Sequence, residues 1–321
     1  MLEPPLLEVD RLKVSYRLGG LLGSRLVHAV NDVSFTLRAG ETLGLVGESG
    51  CGKTSLARAV LGLTPISDGA VRLSGKDIEA DGYGALRRQT AMIFQDPYSA
   101  LNPRLTIGSA IAEVLQVHAG LARKASRKRV AELLLMVGLS PEHAVRKPAT
   151  LSGGQCQRAG IARALALAPR LILADECVSA LDVSIRAQII NLLIELRSRM
   201  GLAMIFIAHD LSVVRALCDR LAVMYLGRIV EEGYTADVFE RPRHPYTQAL
   251  LRSIPDLDPD RPLPHHVLAG EPPSAGNLPP GCPFHPRCPS VMESCRHGPP
   301  PLLRQVGPQR AACLLYDDMK D

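Results

Sequence analysis

Apolar and polar residues follow two rhythms along this chain, and the switching between them outlines a fold. Short apolar runs lie at Val33–Leu37, Thr42–Val46, Leu171–Asp175 and Ala203–Ala208. Runs of this length, rich in Val, Ile and Leu, predict buried strands. Between them, Ile107–Val117 and Ser126–Gly138 carry apolar positions at helical spacing, with Val130, Leu133, Leu134 and Val137 on one face. Strands alternating with helices over residues 6–240 predict an α/β domain with a largely parallel sheet, and the two helices predict an insertion into it.

Beyond about residue 240 the rhythm fades. Fifteen of the 25 prolines lie from Pro255 onward, and PDLDPDRPLPHH fits neither period, so a boundary is expected between residues 240 and 260. No internal repeat points to a second copy of the domain.

Composition sharpens this outline. With 321 residues, 46% apolar and 21% charged, the chain can bury one large core and carry a small appendage. The net charge of +5 is not gathered into a basic stripe, so no nucleic-acid partner is expected. There is no window of about 18 uninterrupted apolar residues, and MLEPPLLEVDR lacks a leader pattern. The expectation is a cytoplasmic chain without a membrane span.

Chemistry enters at Gly47–Thr54. GESGCGKT fits GxxxxGK[ST] and lies between the strand-like TLGLV and the helical SLARAVLGL. In this setting Gly47, Glu48, Ser49, Gly50, Cys51, Gly52 and Ser55 shape a backbone cradle for phosphates, Lys53 neutralises their β/γ oxygens, and Thr54 offers a hydroxyl to Mg²⁺. Leu171–Glu176, LILADE, is a strand ending in two acids: Asp175 is suited to Mg²⁺ and Glu176 to polarising a water. Just before it, LSGGQ (Leu151–Gln155) opens a helix. There the small residues Ser152, Gly153 and Gly154 form an anion-binding N-terminus.

The order GESGCGKT, Gln95, LSGGQ, LILADE, SALD (Ser179–Asp182) and His209 resembles the ABC-type nucleotide-binding subunits over about residues 8–240. The resemblance implies an α/β cassette of the P-loop NTPase fold, a RecA-like core with an antiparallel β subdomain and a helical subdomain. The cassette is expected over residues 6–250, its helical subdomain over about 96–158, and a C-terminal region over 251–321. It also implies two cassettes facing head to tail, each ATP lying between one phosphate loop and the other's Ser152, Gly153, Gly154 and Gln155. By the same resemblance Tyr16 stacks on adenine, Gln95 senses Mg²⁺ and the attacking water, Glu176 is the general base, Asp182 crosses the dimer interface and His209 contacts the γ-phosphate. Two positions depart from the pattern: Cys177 stands where Pro is usual, and Cys156 where Arg or Gln is commoner. Leu18–Val27 reads as a local insertion.

FQDPYSALNPRLTIG and HPYTQALLRSIP are similar to the oligopeptide and dipeptide importer subfamily, in the wording of its second ATPase subunit. That implies a heterodimeric partner ATPase, two membrane permease subunits meeting Asp96–Pro103, and indirectly an extracytoplasmic substrate-binding protein, with the chain peripheral at the cytoplasmic membrane face. The solute stays open between peptides and other small solutes such as nickel or glutathione. The alternative is a non-transport ABC ATPase in a soluble complex.

Cys282, Cys288, Cys295 and Cys313 cluster near the end of the chain. Four soft ligands suit an iron–sulfur cluster or Zn²⁺, and similar tails of peptide-importer ATPases are associated with a [4Fe–4S] cluster; free thiols are the remaining reading. Cys51, inside the phosphate loop, is expected to report nucleotide through alkylation.

Overall fold

The computed structural model describes residues 4–20, 23–80, 82–254 and 270–317; the Pro-rich opening of the tail, residues 255–269, lies outside them. In the first part of the chain come strands β1 (Leu7–Gly20), β2 (Gly23–Leu37), β3 (Thr42–Val46), β4 (Asp68–Leu73), β5 (Lys76–Asp77) and β6 (Thr90–Ile93). The later strands are β7 (Leu171–Asp175), β8 (Ala203–Ile207), β9 (Arg220–Tyr225), β10 (Arg228–Tyr234), β11 (Arg304–Val306) and β12 (Gln309–Ala311). The helices begin with α1 (Lys53–Val60), α2 (Tyr83–Gln89), α3 (Ile107–Ala119), α4 (Arg123–Met136) and α5 (Gly153–Ala164). They continue with α6 (Val183–Met200), α7 (Leu211–Leu217), α8 (Thr235–Glu240) and α9 (Pro245–Arg252).

The chain forms two compact units, each drawn from several stretches. One comprises residues 1–6, 37–41 and 76–207. Its strands β6, β7 and β8 are parallel neighbours, with Ile93 opposite Ala174 and Asp175 opposite Ile207. Every residue of β7 and β8 is buried, as expected of parallel strands covered on both faces. Helices α3, α4 and α5 pack on one another in the same unit, burying Ile107, Ile111, Leu115, Val130, Leu133 and Leu134. These are the helices of the expected insertion. Thr106 caps α3, its side chain accepting from Ser109 N–H, and left-handed Gly120 ends it.

The other unit comprises residues 7–36, 42–75 and 208–321. Strand β1 lies between β2 and β4, and pairs antiparallel with β4 from Leu7 opposite Leu73 to Asp10 opposite Ala70. The stretch around Leu18–Val27 extends this β1–β2 ladder, with Leu21 and Leu22 outside the described residues. A second layer runs β3, β9, β10, β12, β11. Strand β3 is parallel to β9, with Val46 opposite Val223, and β10 is antiparallel to both β9 and β12. The tail thus adds two strands to a sheet instead of hanging from the domain, with Glu231 opposite Ala311. Ala311 and Val306 are buried there.

Candidate active site

The five residues of β3 are all buried, and the chain leaves the sheet at Gly47 to re-enter regular structure at Lys53. Gly52 makes that turn at φ 107°, where a Cβ would stand 2.1 Å from the Ala29 carbonyl oxygen; no other residue fits. Lys53 is buried, its ammonium donating to the carbonyls of Gly47 (2.7 Å) and Glu48 (3.0 Å). The cation is therefore held over the loop by the loop's own carbonyl dipoles. Tyr16, on β1, donates its hydroxyl to Ser55 Oγ at 3.3 Å, which ties the aromatic candidate to the first turn of α1.

Cys51 is 4% exposed, and burial raises its thiol pKa even with Lys53 3.7 Å away. The thiolate is the nucleophile, so a sheltered thiol with a raised pKa is expected to react slowly with an alkylating reagent.

Strand β7 ends in a buried Asp175, and a half-buried Glu176 follows it. Glu176 has φ 48°, a left-handed conformation that costs a non-glycine residue on the order of 1–3 kcal/mol. Its neighbours hold it there: its N–H donates to the Ile207 carbonyl at 3.0 Å, and its carbonyl accepts from both the N–H (3.0 Å) and the hydroxyl (2.9 Å) of Ser179. The first residue of SALD therefore pins the turn that aims the acid. Cys177 sits inside that turn, 1% exposed, as a small apolar side chain whose thiol is pushed up to about 12 by burial. Gln95 follows β6 by two residues; because Ile93 pairs with Ala174, it leaves the sheet at the level of Asp175 and Glu176, and it is exposed.

LSGGQ opens α5 as a capping box. Ser152 Oγ accepts from Gln155 N–H (3.3 Å), and Gln155 Oε1 accepts from Ser152 N–H (3.1 Å). Gly154 faces inward, where a Cβ would meet Ile185 Cγ2 of α6 at 2.6 Å, so this glycine sets how closely two helices approach. The segment after Gln95 is fastened to this helix. Cys156 Sγ–H donates to the Pro97 carbonyl at 3.4 Å, Tyr98 Oη–H to the Leu151 carbonyl at 3.3 Å, and Arg163 Nη1 to the Ala100 carbonyl at 3.3 Å. The departure at Cys156 thus contributes a tether between two motifs.

Asp182 is exposed at the start of α6, and Val183 beside it is 80% exposed. His209 is exposed two residues after β8. The phosphate loop, Tyr16 and His209 belong to one compact unit; Gln95, the acids, LSGGQ and Asp182 belong to the other.

Sequence reasoning missed how the tail meets the phosphate loop. His244, 1% exposed, opens α9 with its imidazole accepting from Tyr246 N–H at 3.1 Å, and burial alone lowers its pKa to about 3. Tyr246 in turn accepts Glu48 N–H on its hydroxyl at 2.9 Å. Arg287 holds the Glu48 carboxylate with two bonds, of 2.7 and 3.0 Å. HPY reads as a subfamily signature in the sequence; in space its ring hydroxyl is a strut under the loop.

The four late cysteines are free thiols. Cys282 N–H donates to the Cys295 carbonyl at 2.9 Å. Burial, followed by the neighbouring thiols, pushes Cys282 and Cys313 up to about 11, and Cys313 feels all three of the others. Among the described residues no group of three or more His, Cys, Asp or Glu side chains is placed so as to hold a metal ion.

The ABC transporter family profile matches residues 30–179, and that of the oligopeptide/dipeptide transporter C-terminal region matches residues 230–295. The oligopeptide transport ATP-binding protein OppF of Salmonella typhimurium is 51% identical over 92% of this chain and 90% of its own length. A putative peptide import ATP-binding protein of Brucella abortus is 51% identical over 92% and 89%. The glutathione import ATP-binding protein GsiA of Pectobacterium atrosepticum is 52% identical over 82% of this chain but 43% of its own. Among solved structures, cbiO1 of Clostridium perfringens, part of an ABC transporter complex, superposes with TM-score 0.64 at 27% identity over 74% of this chain and 92% of that one. A dimeric ATP-binding cassette in a post-hydrolysis state bound to ADP and Pi does so with TM-score 0.64 at 28% identity over 71% and 98%.

Proposed function

The chain belongs to the ABC transporter ATP-binding proteins, and from that membership we propose that it is the ATP-hydrolysing subunit of an importer for di- and oligopeptides. The observation that carries the reading is the phosphate loop itself, with Lys53 buried over the carbonyls of Gly47 and Glu48 at the start of α1. MgATP is the substrate. Lys53 and the Gly47–Ser55 backbone take its phosphates, and Tyr16 stacks on the base. Thr54, Asp175 and Gln95 serve the Mg²⁺ that arrives with it, Glu176 takes the proton of the attacking water, and His209 contacts the γ-phosphate. The chemistry is positioning and charge stabilisation, with little covalent work for the protein.

Ser152, Gly153, Gly154 and Gln155 act on the nucleotide of a second ATPase subunit, in a heterodimer whose interface Asp182 crosses. The exposed pair Asp182 and Val183 supports that reading. Two membrane permease subunits meet Asp96–Pro103, and the bonds from Pro97, Tyr98 and Ala100 to the LSGGQ helix carry their motion to it. A substrate-binding protein acts indirectly, through the permeases. No helix among the described residues is long and apolar enough to cross a membrane; the peripheral place at the cytoplasmic face follows from the proposed permease partners. The cassette spans residues 6–250 with its helical part at 96–158; residues 251–321 form the transporter-type C-terminal region.

The likeness to GsiA favours keeping glutathione, itself a small peptide, as a second solute. We further propose that Cys282, Cys288, Cys295 and Cys313 hold a [4Fe–4S] cluster; its thiolates bind separate irons, so they need not converge on one point. The support is that the folded tail carries all four thiols on one short segment, with Cys282 N–H bonded to the Cys295 carbonyl at 2.9 Å. Both proposals meet one experiment, anaerobic affinity purification from gently solubilised membranes with partner mass spectrometry and iron and sulfide analysis. Recovery of a second cassette and two permeases supports the transport reading, and a soluble complex without permeases refutes it. An iron-free tail refutes the cluster alone.

A further inference from the structure

A carboxylate in a phosphate-binding loop works against its task, because Glu48 places a negative charge beside the site for three phosphates. The structure answers that charge from far along the chain. Arg287 grips both Glu48 oxygens, at 2.7 and 3.0 Å, and its side chain is only 5% exposed. The bidentate, sheltered pair is of the strong kind, and it keeps Arg287 firmly charged. Tyr246 fixes the Glu48 N–H at 2.9 Å, and its ring packs on Tyr225 and Phe284 with centroids 4.6 and 5.4 Å apart. Pro272, Pro273 and Ala275 of the tail share a cleft of about 160 Å³ with Glu48, Ser49, Gly50 and Cys51. Arg287 itself immediately precedes Cys288, in the short 3₁₀ turn His285–Arg287.

We propose that Arg287 is a positioning residue for the phosphate loop, neutralising Glu48 and holding it aside, so that the state of the cysteine-bearing tail sets the affinity for MgATP. This rests on the reading of Gly47–Thr54 as the phosphate loop. Losing the guanidinium frees a carboxylate to repel the phosphates, so Arg287→Ala weakens MgATP binding on the order of tenfold, a typical coupling between linked sites. The effect falls on KM, not kcat, because Lys53 and Glu176 are untouched. Since linkage is reciprocal, MgATP slows proteolysis of the tail in the native chain and not in Arg287→Ala.

The test is a titration of the full-length chain with a fluorescent ATP analogue and Mg²⁺, in wild type, Arg287→Ala, Arg287→Lys, Glu48→Gln and the double variant. The expected result is sign epistasis. Arg287→Ala binds weakly, Arg287→Lys recovers in part, and adding Glu48→Gln to Arg287→Ala restores affinity because no charge is left to neutralise. A merely structural Arg287 would leave the double variant as weak as the single or weaker. Wild-type affinity in a folded Arg287→Ala, or additive losses in the double, overturns the proposal. Should Arg287→Ala not fold, Arg287→Lys against Arg287→Lys with Glu48→Gln reads the same epistasis. Absence of MgATP binding by the wild type would instead refute the phosphate-loop reading.

Discussion

Burial of His244 writes a pH dependence into the stability of the chain. The imidazole is 1% exposed and burial lowers its pKa to about 3, against about 6.5 in an unfolded chain. Between those values the unfolded state binds a proton that the folded state refuses. Its contribution to stability is therefore complete above 6.5 and is lost as pH falls from there toward 3. From pH 7 to pH 5 the loss is about 2 kcal/mol, at 1.36 kcal/mol per pH unit beyond the unfolded midpoint. His244→Asn isolates it, because Asn keeps an acceptor for Tyr246 N–H at the start of α9 and cannot titrate. Glu231, which accepts from His244 N–H, has its pKa raised by burial and works in the opposite sense, but it is present in both proteins and cancels in the difference. The chain has no Trp, so urea midpoints are best followed by far-UV circular dichroism. The stability gap between wild type and variant narrows by about 2 kcal/mol between pH 7 and 5. Parallel curves over that range would show that His244 is protonated in the folded chain and refute the reasoning.

Three further outcomes follow from the site. Glu176→Gln keeps MgATP binding and lowers turnover by about 10²–10⁴-fold, the usual worth of a general base; single-turnover hydrolysis with a filter-binding control measures both, and near-native turnover removes Glu176 from the role. Cys156→Ala removes the bond to the Pro97 carbonyl and costs about 0.5–1.5 kcal/mol, read as a lower thermal midpoint and faster amide exchange over residues 98–100; unchanged exchange there would show that the tether is idle. In the chain freed of metal, the partly exposed Cys288 and Cys313 react with iodoacetamide before the buried Cys51, Cys156 and Cys177, and peptide mapping after brief labelling checks the order.

The sequence by itself determined whatever depends on neighbours along the chain. GESGCGKT between an apolar run and a helix dictates a loop that only glycine can turn at position 52, and Ser152 with Gln155 dictates a capped helix start. Buried parallel strands declared themselves as β7 and β8 through continuous apolar runs. Helices α3 and α4 emerged within a few residues of their sequence-based limits, since their apolar faces repeat at the helical period. Other features carry no local signature. Nothing around Glu176 marks a left-handed residue; Ser179 and the Ile207 carbonyl impose it once β8 lies beside β7. The tail reads as an irregular Pro- and Cys-rich appendage, yet β12 completes a sheet on β10, because edge strands need only a few backbone groups in register. Arg287 and Glu48 stand 239 positions apart, each an ordinary charged residue in its own surroundings. Their pairing depends on two charges that lose water together, and only the folded chain brings them to one place.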